Sequence, residues 1–120
     1  MGACPHTLRF SLTPTVLWTG KSGKTGILTL SEAAENYREL IVEGTDDDRH
    51  ARSFSVRSFG TLTTLQFVGM NYTNGIASGK SVLVRIDGTS FDIRGQRTHV
   101  MEGSTTDNQC LTITRILGMR

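Results

Sequence analysis

The sequence predicts an all-β protein: an antiparallel, jelly-roll-like β-sandwich of about eight short strands with one short helical turn. Three observations predict it. Apolar and polar residues alternate in short runs along most of the chain. The runs recur about every ten residues, separated by Gly, Asn, Asp and Ser, which is the spacing of a sandwich or barrel. Leu, Ile, Val, Phe, Thr and Gly dominate, Ala is scarce and Pro occurs only 2 times, a mix that favours strands over helices.

In chain order, residues 1–14 read as an N-terminal arm or a first strand. There "TLRFSL" places Leu8, Phe10 and Leu12 on one face. "TVLWT" follows Pro14, and "GILTL" sets Ile27 and Thr29 against Leu28 and Leu30. "YRELIVEG" is more continuously apolar at its centre. "RSFSVRSF" puts Phe54 and Val56 opposite Ser53, Ser55 and Arg57. "TLTTLQFVGM" carries Leu65, Phe67 and Gly69 opposite Gln66 and Val68. "KSVLVRIDG" shows Val82, Val84 and Ile86 on one side, with Arg85 and Asp87 on the other. "TSFDIRG" adds Phe91 and Ile93, and "QCLTITRIL" adds Leu111, Ile113 and Ile116.

"IDGTSF" is the clearest hairpin, with Asp-Gly between two alternating runs. Asn74-Gly75 marks another turn. Only "SEAAENY" suggests helix: Ser31 is placed to cap a single turn, with Glu32 and Glu35 near its positive end. No linker, fixed-period repeat or low-complexity tail divides residues 1–120, so a single sandwich domain is expected.

The net charge is +2, from 13 basic and 11 acidic residues, too mild to mark a nucleic-acid binder. Asp46, Asp47 and Asp48 form the one acidic run, followed by Arg49, Arg52 and Arg57. It reads as a solvated loop flanked by exposed strand positions. "MGACPHTLRF" lacks the apolar core of a signal peptide, and no apolar run suggests membrane insertion. His6 stands where myristoylation needs Ser or Thr. One disulfide between Cys4 and Cys110 is arithmetically open, but a reducing cytosol would keep both thiols free.

Chemical motifs are few. "TGKSGKTG" ends like a phosphate-binding P-loop, but the first glycine of that motif would have to be residue 18, which is Trp. The alternating "GILTLS" follows where a helix should begin. The stretch reads instead as a polar hairpin loop with Lys21 and Lys24 solvated. His6, His50 and His99 are scattered, and "DDDRH" lacks the ligand spacing of a calcium loop, so no metal site is expected. No Gly-x-Ser-x-Gly elbow is present, and Cys110 beside Leu111 reads as a buried structural thiol. No catalytic residue is assigned, and nothing demands a cofactor. Asn71-Tyr72-Thr73 matches a glycosylation sequon, taken as coincidence without a secretory signal. Tyr72, set among Asn71, Thr73 and Asn74, suits contact with a protein or a sugar.

"VLWTGKSGKTGILTLSEAAENYRELIVEG", together with the closing "LTITRILGMR", resembles small β-rich modules at the distal ends of bacteriophage tail fibres and related receptor-binding structural proteins. The residues that carry the resemblance are Trp18, Gly20, Gly26, Leu28, Leu30, Ser31, Asn36, Tyr37, Ile116, Gly118 and Arg120. Residues 45–109 do not align with the pattern. The resemblance implies a non-enzymatic virion protein of the tail or fibre tip, made in the bacterial host cytoplasm. It also implies a homotrimer around a three-fold axis, and a role in assembly and attachment to a host surface glycan or protein. Tyr72, Asn71, Asn74, Trp18, Lys21 and Lys24 are then the candidate surface contacts, with other virion proteins as further partners. A monomeric carbohydrate-binding module is the alternative. A small hydrolase would need a cleft with two carboxylates or a Ser/His pair, which no motif supplies.

Overall fold

The computed structural model describes residues 13–70, 76–100 and 103–120. Among them nine strands form: β1 (Thr15–Thr19), β2 (Gly26–Thr29), β3 (Glu39–Asp46), β4 (Ala51–Val56), β5 (Leu62–Met70), β6 (Ala77–Asp87), β7 (Ser90–Val100), β8 (Thr105–Asp107) and β9 (Leu111–Met119). They build a four-stranded sheet in the order β1-β9-β3-β4 and a five-stranded sheet in the order β2-β7-β6-β5, with β8 added to β7. Every pairing is antiparallel. The chain is an all-β sandwich. Strands β1, β2 and β3 alternate between the sheets and insert beside β9 and β7, as in a jelly roll, whereas β3–β4 and β5–β6–β7 are plain hairpins. The expected strand over residues 7–12 lies outside the described residues.

The core follows from the alternation. Val82, Val84 and Ile86 of β6 and Phe91 and Ile93 of β7 face Leu40 and Val42 of β3 and Ile113 and Ile116 of β9, all essentially without solvent contact. Phe54, Phe59 and Phe67 close the margins of this core, half-buried. At about 25 cal/mol per Å² of apolar surface removed from water, these side chains supply most of the drive to fold. The opposite row of β2 turns outward, so Ile27 is exposed while Leu30 is buried.

Two departures from strict alternation matter below. The β3–β9 register slips between Glu43 and Gly44, where a Cβ on Gly44 would collide with the Thr112 carbonyl. The β6–β7 register slips between Leu83 and Val84, opposite Gly95 and Ile93. That bulge turns Gln96 into the core three residues after Ile93 instead of two.

Several local expectations are corrected. Ser31 is not a helix cap. Its backbone N–H donates to the Leu17 carbonyl (2.9 Å), and the one helical turn among the described residues, the 3₁₀ segment Ala34–Asn36, begins after Ala33 without a side-chain cap. Glu35 does sit in its first turn, while Glu32 accepts the Tyr37 hydroxyl (2.6 Å). In the β6–β7 hairpin Asp87 pairs with Ser90, so the two-residue loop is Gly88-Thr89. Gly88 takes φ 60°, which glycine adopts at least cost.

Candidate binding surface

The loop "TGKSGKTG" is built onto β9. Gly20 N–H donates to the Thr114 carbonyl and Ser22 N–H to the Ile113 carbonyl, both at 3.0 Å. The Ser22 hydroxyl, buried, accepts the Ile113 N–H (2.8 Å). Two of the loop's N–H donors are therefore spent on β9. Gln96 holds the loop from the other side: its Nε2 donates to the carbonyls of Lys24 (3.0 Å) and Gly23 (3.4 Å). Its Oε1 accepts the N–H groups of Cys110 (3.0 Å) and Leu111 (2.9 Å). One buried amide thus joins the loop, β7 and the start of β9. Sequence reading missed Gln96; the signal was Gly95, a strand-interior glycine that marks a bulge.

Lys21 and Lys24 are exposed, and among the described residues neither makes an ion pair. Trp18 is half-buried on the core, and its ring lies so close over Gly20 that a Cβ there would sit 2.8 Å from it. It is a framework residue before it is a contact. Asn71, Tyr72 and Asn74 lie outside the described residues.

The acidic run is not simply a solvated loop. Asp47 and Asp48 are exposed, but Asp46 is 5% exposed and its carboxylate fills the β3–β4 turn. Oδ1 accepts the N–H groups of Asp48 (2.9 Å) and His50 (2.8 Å), and Oδ2 accepts Arg52 Nε (2.9 Å). This is the short polar side chain bonding its own turn. Burial pushes the Asp46 carboxyl up, but the His50 N–H, the Arg52 guanidinium and the Asp48 N–H outweigh it and hold it below the usual range.

Lys80, facing inward from β6 and also 5% exposed, brings its ammonium to Asp47 and to Asp48 (3.3 Å). Gly69 leaves room for it, since a Cβ there would lie 2.9 Å from Lys80 Cε. Burial pulls the Lys80 pKa down, and the two carboxylates more than reverse this, leaving it raised. The three carboxylates cluster within 4.8 Å of one another, but Lys80 supplies the counter-charge. The arrangement ties the two sheets together through a charge pair. Cys110 lies fully buried nearby, a free thiol whose pKa burial raises.

The outer face of the five-stranded sheet is the broadest candidate surface. Three shallow depressions of about 430, 330 and 200 Å³ run across it, joined through Ser81 and through Arg94 to Arg97. Gly79, Ser81 and Gly95 form the floor, and a Cβ on Gly95 would meet nothing. Charges of both signs interleave there: Arg85 lies opposite Asp92, Arg94 reaches Asp92 (3.5 Å) and Arg97 pairs with Asp107 (3.0 Å). Such a face does not select a polyanion. Four of the five large apolar side chains exposed among the described residues, Ile27, Leu62, Leu83 and Val68, are on this sheet.

No family model matches the chain, and no curated protein matches it.

Proposed function

We propose that the chain is a non-enzymatic module of the bacteriophage tail or fibre tip, a homo-oligomer that acts in assembly and in attachment to a host surface. One observation carries the reading: the residues responsible for the resemblance to tail-fibre modules meet one another in space. Trp18 covers Gly20. The Tyr37 ring lies flat on Gly118, 2.7 Å from where a Cβ would be, and the Arg120 guanidinium stacks 4.7 Å above the centre of the same ring. The Tyr37 contacts link the 3₁₀ turn to β9, and Trp18 pairs with Ile116 across β1 and β9, so the opening and closing patterns act as one framework. A shared framework is what a family pattern with a variable middle would preserve, leaving loops and the outer sheet face to recognition.

Cys110, the one cysteine described, is not set up as a thiol nucleophile. It is buried and its pKa is raised, which is the opposite of an activated nucleophile. The partners proposed are other virion proteins and a host glycan or protein.

The test combines light scattering with interferometry against immobilised bacterial surface polysaccharides and outer-membrane preparations. A homo-oligomer, three copies by the resemblance, that binds one such surface saturably is expected. A strict monomer at micromolar concentration that binds none of them removes the reading. A monomer that binds glycans instead favours the carbohydrate-binding module, for which the shallow grooves on the outer face provide a seat.

A further inference from the structure

Among the described strands several edges are left, and all but one are protected. β1 is five residues long, follows Pro14 and is bulged between Val16 and Trp18. β2 has four residues, β8 has three with Asp107 among them, and β4 has six with Arg52 near its centre. Short length, bulges and charge are the usual devices that keep an edge from pairing with another chain. β5 has none of them. It runs nine residues, "LTTLQFVGM", without a charge, a proline or a register shift, and among the described strands it pairs only with β6. Leu62 and Val68, at 56% and 63% exposure, stand on its outer side. Among the described residues, Arg52 Nη2 donates to the Val68 carbonyl (3.2 Å) and its guanidinium lies 5.0 Å from the centre of the Phe67 ring, which leaves the stretch from Leu62 to Gln66 open.

We propose that the β5 edge is an interaction surface for a second copy of this chain, joined β5 to β5, antiparallel, across a two-fold axis. The charge pattern selects this occupant. In antiparallel self-pairing across a two-fold axis a charge at the centre faces its own copy, and one to either side is presented twice in the same small contact. β5 carries none, and so it has nothing with which to attract an acidic or basic peptide. A register centred on Thr64 sets its hydroxyl against its own copy and puts Leu62 opposite Gln66, within the open stretch. The other edges are too short or too protected to be the partner strand. A two-fold contact is self-complementary and closed, and it continues the five-stranded sheet through the pair.

The inference rests on the homo-oligomeric part of the function proposed above but not on its copy number. The contact gives two copies alone, or six if a three-fold contact also forms. The test is light scattering on the full chain at micromolar concentration. The T64K/Q66K double variant places like charges at the centre of the pair. Both positions are exposed, so the fold, read by circular dichroism and Trp18 fluorescence, is unaffected. We expect a wild type of two or six copies and a halved mass, one or three copies, for T64K/Q66K. T64E/Q66E should behave the same way, and an equimolar mixture of the two variants should return to the wild-type mass. Ile27→Lys, on the far edge of the same sheet, should leave the mass unchanged. A three-copy wild type overturns the strand pairing and leaves the function reading standing. A one-copy wild type overturns the pairing and the homo-oligomeric reading together. A mass that neither double variant lowers, or one that mixing does not restore, overturns the pairing.

Discussion

Lys80→Met isolates the charge that joins the sheets. Methionine keeps the unbranched stem that lies beneath Gly69 and removes only the ammonium. Breaking a fully buried pair costs about 3–5 kcal/mol, and breaking an exposed one about 0–1. This pair lies between those limits: Lys80 has 5% of its side chain exposed, but Asp47 and Asp48 keep 34% and 48% and can be rehydrated. The expected loss is therefore about 2 kcal/mol. Urea denaturation followed by Trp18 fluorescence would show it as a midpoint lowered by about 1 M, with an unchanged slope. Asp47→Asn/Asp48→Asn in the Lys80→Met background should recover part of the loss, because the uncompensated carboxylates are then gone. The pH dependence has a definite sign. A lysine whose folded pKa is raised contributes fully below its unfolded value and loses that contribution only as pH rises through the folded one. The gap between wild type and Lys80→Met should thus be flat through neutrality and close only in strongly alkaline solution. A loss below about 0.5 kcal/mol, the size of a surface pair, would refute the reasoning. So would a gap that has already closed in mildly alkaline solution.

Gln96→Leu should cost about 3 kcal/mol or more in the same assay, because it strands two N–H groups and two loop carbonyls at once. Hydrogen exchange should quicken at Cys110 and Leu111 before the rest of β9. Asp46→Asn should cost about 1–2 kcal/mol near neutrality, where the carboxylate is hydrogen-bonded and paired. Its folded pKa is lowered, so that stability is present above the unfolded value and is lost as pH falls through the folded one; equilibrium melts at several acid pH values should show the gap closing there. Cys110 should remain unalkylated by iodoacetamide in the native protein and react in urea, with peptide mass spectrometry as the readout. Modification under native conditions would contradict its burial.

The alternating runs made eight of the nine described strands legible, because one buried face imposes a period of two on the sequence. β8 left no such trace: Thr105, Thr106 and Asp107 are all exposed, so no apolar residue marks the strand. β7 was legible only to its glycine, because the bulge at Gly95 shifts the inward row and buries the polar Gln96, which strict alternation after Phe91 and Ile93 would place outside. The acidic run misled for a related reason. Composition places Asp46, Asp47 and Asp48 in one solvated loop, but the β3–β4 turn needs an acceptor for its own N–H groups, and Asp46 is the residue whose carboxylate reaches them. Lys80 could not be recognised as a buried partner, since Asp47 lies 33 positions away and only the sheet-on-sheet packing brings them together.

Gly118→Ala tests whether the resemblance reflects a structural need. The Cβ it adds would sit 2.7 Å from the Tyr37 ring, which is bonded at its hydroxyl to Glu32 and covered by Arg120. A buried ring held at its tip and over one face cannot swing aside cheaply, so the change should act as overpacking and cost about 1–3 kcal/mol. Tyr37→Leu removes the ring plane that collides. In that background Gly118→Ala should cost little, and the double-mutant cycle should report a coupling energy of about 1 kcal/mol or more. Additive effects would mean that Gly118 and Tyr37 fit their positions independently. The opening and closing patterns would then owe their pairing to something other than this contact, and the observation that carries the proposed function would lose its force.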